Sequence, residues 1–522
     1  MSEIETIGIS MTKKYRGTIG GCLAGGILAH FYVLTNILQN HDSIAMAPKG
    51  YGTGITSGRW FLTVLGQFIG KLGGNYNLPY FNGIIAICLL TITACLIVDI
   101  FQLPDKYGFL FGAVFVSFPT VTGTLFYMYT TIYYTLAILM AIMAVWCTEK
   151  FTFGFLAAIV LEACSLGIYQ AYLPMTAALF VLLLIVKSLN EEQSIWDIVK
   201  GGAFYLFVLA SGFILYYICL VNCLVRYRTS LSTYMNVNHM GRITLNDISG
   251  IIEKCYSNFY RLPFEDYCGI TSTPVLRFCV LILAIAAVGS LILLWRLKKE
   301  KTSKIMFCIL LCLVIFPAAV NGIEILCFNA GYIYVLMVYG TVFIFLLPLL
   351  LLNLAENAFL KSEQVWSSIK GKVFRLAKNM VVVVMIAVFI SYAYLANVNY
   401  TALFYMNQQT TNYLSELVTQ IKSVEGYQTS YQVAFIGDTI QDPSFGNPWE
   451  SVPKYAGNPN SLINEYSRDY YIINYLGFWY EPANQWKTQA LKEHDIVKQM
   501  PCYPNSGSIK VLDNTIVVKL SD

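Results

Sequence analysis

The chain has 522 residues, of which 57% are hydrophobic and 12% charged, about half the ~25% charged content of an ordinary soluble domain. A water-soluble fold is excluded, because apolar stretches of about 18 residues or more, long enough to cross ~30 Å of hydrocarbon, recur through most of the chain. The net charge of +4 is scattered over loops rather than gathered into a patch, so no nucleic-acid partner is expected.

The first apolar stretch, 17–38, follows Lys13, Lys14 and Arg16 as a signal peptide would. It is too long for one, and Thr35-Asn36-Ile37-Leu38-Gln39 offers no small-residue cleavage site, so a retained helix is predicted. Further spans are predicted at 79–101, 107–122, 125–147, 152–168, 172–187, 201–224, 274–296, 304–322, 330–353 and 379–397, giving a polytopic α-helical membrane protein of about eleven transmembrane helices. With the N-terminus inside, the inner segments 1–16, 102–106, 148–151, 188–200, 296–304 and 354–378, with their helix ends, carry 17 of the 34 Lys and Arg, against nine in the outer loops and helix mouths. This asymmetry predicts a cytoplasmic N-terminus and an extracytoplasmic C-terminus.

Three long polar segments then share the outer side: 39–78, 225–273 and the tail. The first includes Arg59 to Lys71, an amphipathic stretch too short to span and predicted to lie in the interface. From 398 the composition turns to Asn, Gln, Pro, Tyr and charge, dividing the chain into a transmembrane domain, 1–397, and a small α+β domain, 398–522. Within the latter, a helix is predicted from Thr411 to Ser423, a strand at Gln432–Ile436 and a hairpin turning at Asp513-Asn514. No internal repeat of the secondary-transporter kind is present. Most of the 14 cysteines sit in apolar runs as small hydrophobes. Cys255 and Cys268 share an outer loop, where they could pair or stay free thiols, and Cys502 has no obvious partner.

Candidate chemistry concentrates where chain leaves membrane. In Asn40-His41-Asp42-Ser43, Asp42 is an acid able to face both water and a lipid-borne substrate, which suits a general base on a sugar hydroxyl. It would equally serve as a helix cap or mark the membrane boundary. Arg59 suits bidentate contact with phosphate oxygens, or snorkelling at the interface. In the second loop, Arg226, Arg228, His239 and Arg242 would suit a lipid-phosphate headgroup, of the substrate or of bulk membrane lipids. Glu265-Asp266 competes with Asp42 as base or metal ligand, or is a solvated loop. Glu162, inside a span, is a functional candidate by its depth, as is Glu324. Each is explained as well by a hydrogen bond between helices. No Walker loop, His-rich metal site or Gly-x-Ser-x-Gly elbow occurs, which leaves ATP-driven transport and serine hydrolysis unsupported.

His41-Asp42-Ser43 after the first helix, Gly58-Arg59-Trp60, Gly167-Ile168-Tyr169-Gln170-Ala171-Tyr172, and the ending from Met500-Pro501-Cys502 to Val518-Lys519-Leu520 resemble the glucosyl transferase II family of bacterial membrane proteins. The resemblance implies a GT-C-like fold. It also implies transfer of a hexose, glucose first, from a polyprenyl-phosphate-linked donor to a glycan acceptor, O-antigen-like or wall polysaccharide, outside the bacterial cytoplasmic membrane. It assigns the base to Asp42 and substrate contact to His41, Arg59, Tyr169 and Gln170. Inversion follows from direct attack of an acceptor hydroxyl. The Asp-x-Asp form of such loops is absent, since residue 40 is Asn and residue 44 Ile; no cofactor is implied with certainty, and use of a divalent cation stays open. Trp449, Trp479 and Tyr480 are tail candidates for sugar stacking. The rival expectation is a translocase for lipid-linked sugar or polysaccharide, which would line a path with ionisable groups at the midplane. A recognition protein without catalysis would instead leave Asp42 dispensable.

Overall fold

The computed structural model describes residues 14–189, 193–297, 302–329, 333–361, 369–437, 455 and 464–522. Lys13, Trp449 and parts of the basic clusters at 296–304 and 354–378 lie outside them. Among the described residues, nine helices are long and apolar enough to cross a membrane, and a bent pair makes a tenth; the chain is a multi-pass membrane protein. The first span, Arg16–Thr35, packs on Asp105–Ser117, Pro79–Phe101 and the last span. A Cβ at Gly21 would stand 2.0 Å from the Phe109 carbonyl oxygen. Two backbones meet at a distance only glycine permits, the usual route to tight packing where lipid supplies no hydrophobic drive.

Several expected spans depart from regular helix, one of them, 304–322, through a π-helical segment at Leu311–Ile315. The span expected at 107–122 bends by 44° between Asp105–Ser117 and Pro119–Leu125, where Pro119 lacks an N–H and holds Phe118 extended. The helix expected from 330 begins only at Phe343, after short turns at Val335–Met337 and Tyr339–Val342. Thr120 Oγ1 donates to the Val335 carbonyl (2.6 Å), joining these broken elements. The segment expected at 152–168 forms a helix of 15 residues, Gly154–Ile168, roughly 22 Å long and short of a full crossing. Trp60–Leu72 is likewise too short to span, and it exposes Val64, Phe68, Ile69 and Leu72 along one side.

At one end of the bundle, carboxylates are locked to lysines. Asp99 accepts from Lys14 Nζ (2.6 Å), Tyr15 Oη (2.8 Å) and Trp146 Nε1 (3.0 Å). Glu356 pairs with Lys378 (2.7 Å) and Lys106 (3.1 Å). The other end carries the tail. The last span does not stop near 397: a single helix, Ile369–Ser423, runs 55 residues from the bundle into the tail and absorbs the helix predicted at 411–423. The tail sheet has the order β1-β3-β2, with β1 (Gln432–Ile436) parallel to β3 (Thr515–Lys519) and β2 (Ile509–Leu512) antiparallel to it. Asp513 and Asn514 make the expected hairpin turn with φ of 45° and 57°, the left-handed pair that a two-residue hairpin requires. Helices Glu465–Asn474, Gln485–Lys492 and Asp495–Gln499 accompany the sheet.

Candidate active site

The three polar segments meet at the tail end. Gln39 and Asn407 exchange hydrogen bonds, Gln39 N–H to Asn407 Oδ1 (3.1 Å) and Asn407 Nδ2 to the Gln39 carbonyl (3.0 Å). Ser232 N–H donates to the Thr56 carbonyl (2.8 Å), and helix Glu465–Asn474 packs on the short helix His41–Ala45. Between them lies a cavity of about 1940 Å³, bordered by His41, Asp42, Arg59, Tyr169 and Gln170 on the bundle side and by residues of the tail opposite.

The cap of the His41–Ala45 helix is Asn40, not Asp42. Asn40 Oδ1 accepts from Ser43 N–H (2.8 Å), while Ser43 Oγ accepts from Asn40 N–H (2.9 Å), a reciprocal box that satisfies the helix's first donors. Asp42 is thereby left with its carboxylate partly exposed to the cavity, 3.8 Å from His41 Nε2. His41 Nδ1 is buried without a partner. Around this acid the phenols of Tyr127 and Tyr129 are pushed well above the ordinary tyrosine range, by burial first and by Asp42 second. They stay neutral hydroxyls, available as donors.

Arg59 is set by two motifs more than a hundred residues apart. Gly58, at φ 77°, closes the turn Ile55–Ser57, a conformation other residues adopt only with strain. Gln170 Nε2 donates to the Ser57 carbonyl (3.0 Å) and to Tyr216 Oη (2.9 Å), and Tyr216 Oη donates to the Gly58 carbonyl (3.1 Å). Gln170 is thus a brace for the loop as well as part of the cavity wall. A Cβ at Gly167 would lie within 2.8 Å of Trp60 and Phe61, so the same pair of motifs touches again one turn away. The guanidinium donates to Tyr134 Oη (2.9 Å) and lies 4.8 Å above the Tyr169 ring. Tyr134 and Tyr169 are themselves stacked at 4.7 Å, 6° from parallel. Arg59 Nε is buried with no acceptor, and no ion pair to it is present among the described residues. A cation held by aromatic faces with an unanswered N–H beside a cavity is equipped to receive an anion.

The other candidates fall elsewhere. Arg226, Arg228, His239 and Arg242 are exposed and do not border the cavity; their loop contributes Ser232, Tyr234, Val237 and Met240 instead. Glu265 makes an exposed pair with Arg261 (3.5 Å). Asp266 accepts from Gly269 and Thr271 N–H (3.1 and 3.0 Å), closing its own loop, with its carboxyl raised by burial. Glu162 is buried among helices and accepts from Thr176 Oγ1 (2.8 Å). Glu324 accepts from Asn258 Nδ2 (2.6 Å) and Tyr267 Oη (3.0 Å). Cys255, Cys268 and Cys502 are free thiols. Tyr480 is buried and donates to Asp469 (2.8 Å), and Trp479 is exposed away from the cavity. Among the described residues no group of three or more His, Cys, Asp or Glu is placed to hold a metal ion. Tail residues that border the cavity, Tyr466 and Trp486 among them, escape sequence reasoning, because no spacing ties them to residue 42; their aromaticity in a polar tail was the one available signal.

Fold and site together define a multi-pass membrane protein with an acid and an unpaired arginine at one large cavity. The family model for glucosyl transferase GtrII matches residues 31–345, and the chain belongs to that family. The match takes in the His41–Ala45 turn, Arg59 and the Gly167–Tyr172 stretch, and stops before the tail. No curated protein and no solved structure matches the chain.

Proposed function

We propose that this glucosyl transferase moves a hexose, glucose first, from a polyprenyl-phosphate-linked donor to a cell-surface glycan, O-antigen-like or wall polysaccharide. It does so on the outer face of a bacterial cytoplasmic membrane, with a GT-C-like transmembrane domain, a cytoplasmic N-terminus and the tail domain outside. The observation that carries this reading is that Asp42 and the unpaired Arg59 face one cavity. Asp42 takes the proton of an acceptor hydroxyl, whose oxygen attacks the anomeric carbon. The bond from that carbon to the phosphate oxygen breaks with inversion, and Arg59 stabilises the phosphate that leaves with the polyprenyl chain. Because phosphate leaves readily, positioning and charge stabilisation are the protein's share. His41 and Tyr169 border the donor, Gln170 holds the loop, and Arg226, Arg228, His239 and Arg242 meet lipid headgroups.

A translocase would need ionisable groups along its path, whereas Glu162 and Glu324 are tied to neighbouring side chains. The test is transfer from polyprenyl-phosphate-glucose to the native glycan fraction by wild type and Asp42→Asn, with and without chelator. The reading requires transfer by the wild type and a loss of at least roughly 100-fold in the folded variant. Equal transfer by both would remove Asp42 as the base, and no transfer by either would favour translocation.

A further inference from the structure

The cavity has two unlike walls. The bundle wall carries Arg59 above its stacked tyrosines, a surface for an anion. The tail wall also carries a cation, Arg468, but its charge is already answered: it lies 4.0 Å above the Phe435 ring and pairs with Asp469 at 3.2 Å. The tail wall presents planar amide and carboxylate groups, Glu465, Gln485 and Gln489, alongside Tyr466 and Trp486. Facing them from the 225–273 loop is Tyr234.

These rings are far from buried. Trp486 is 81% exposed, Tyr234 73% and Tyr466 49%. Large apolar rings grouped at the edge of a cavity mark a contact surface. Their faces suit the C–H-rich face of a pyranose, which meets the negative face of an aromatic quadrupole, while planar amides and carboxylates pair with ring hydroxyls. Tyr466 also stands close enough to Asp42 for the carboxylate to help push its phenol up to about 12, after burial. The helix that carries Tyr466, Glu465–Asn474, packs on the His41–Ala45 helix that carries Asp42, so the aromatic surface runs up to the acid. The volume, about 1940 Å³, is roughly twice the upper end of the ~300–1,000 Å³ usual for a small-molecule site, room for several sugar rings besides a donor headgroup.

We propose that the tail wall is the acceptor subsite, and that its ligand is a glycan chain several pyranose rings long. The chain lies on Trp486, Tyr466 and Tyr234 with one hydroxyl delivered to Asp42. This rests on the glucosyl-transfer reading above, and it assigns donor and acceptor to opposite walls.

The experiment uses the full-length protein in detergent, with the native cell-surface polysaccharide and a single-repeat fragment of it as acceptors. Wild type should show a lower KM for the polymer than for the fragment. Trp486→Ala and Tyr466→Ala should each raise the polymer KM by roughly 2- to 12-fold, the equivalent of one aromatic contact. The KM for donor should hold, and Trp486→Phe should restore most of the loss. Retention on immobilised polysaccharide, measured without donor, gives a second readout. If no donor supports transfer yet retention falls in both alanine variants, the transferase reading fails and the glycan surface stands. An unchanged polymer KM and unchanged retention in the double alanine variant would overturn the proposal, as would a rise in donor KM in place of acceptor KM.

Discussion

Replacing Arg59 with glutamine is expected to cripple transfer while leaving the fold intact. The guanidinium donates to Tyr134 and lies over Tyr169, but its Nε has no acceptor and no carboxylate pairs with it among the described residues. Removing one partner of a buried ion pair strands the other charge; here no opposite charge is stranded, and an unpaired buried cation is removed, so thermal stability should hold or rise. Against a bound phosphate the same N–H would form a charge-assisted hydrogen bond of about 1.5–3 kcal/mol. Its loss lowers kcat/KM roughly 10- to 150-fold. Arg59→Lys keeps the charge but not the planar fork or the stacking, and should fall between. The assay is initial rates at sub-saturating polyprenyl-phosphate-glucose, with thermal denaturation of the same detergent preparations. A loss smaller than about twofold would refute the anion assignment. So would a matching fall in melting temperature, which would make Arg59 a strut.

Gly58→Ala places a Cβ 2.5 Å from Gln170 Nε2 and 2.8 Å from Tyr216 Oη at a φ of 77°, strain of about 1–3 kcal/mol; transfer should drop with helical content unchanged by circular dichroism. Glu162→Gln preserves an acceptor for Thr176 and lies off the cavity, so transfer should stay within about twofold of wild type; a large loss would revive a path through the helices. Glu324→Ala deprives Asn258 and Tyr267 of their shared acceptor, and should lower stability by about 1–3 kcal/mol, visible as a lower melting temperature.

Hydropathy made most of the architecture legible, because a span must be long and apolar wherever it sits. It could not reveal that the chain breaks at Phe118-Pro119 or delays its helix to Phe343, since apolarity is blind to direction. The meeting of Gly58-Arg59-Trp60 with Gly167–Tyr172 is a tertiary fact; the sequence offers both motifs but not their contact. Charge alone makes Arg226, Arg228 and Arg242 candidates, yet whether a loop cation faces a cavity or the surroundings depends on the loop's path, which no local pattern encodes. In the tail, residue type alone points to Trp479 and Tyr480, while the fold buries Tyr480 and sets Trp486 at the cavity.

The helix Ile369–Ser423 joins bundle and tail as one rod of 55 residues, roughly 80 Å long and more than twice the ~30 Å hydrocarbon thickness. Asn407 on this rod holds Gln39, and Thr411 bonds Tyr471 of the tail (2.7 Å). The tail therefore has a fixed height and a fixed compass bearing relative to the bundle, as a gantry holds its tool over a bench. One residue inserted between the last bundle contact and Thr411 would lift everything beyond it by only ~1.5 Å but swing it by about 100°. Such a swing would carry Tyr466 away from Asp42 while both halves stayed folded.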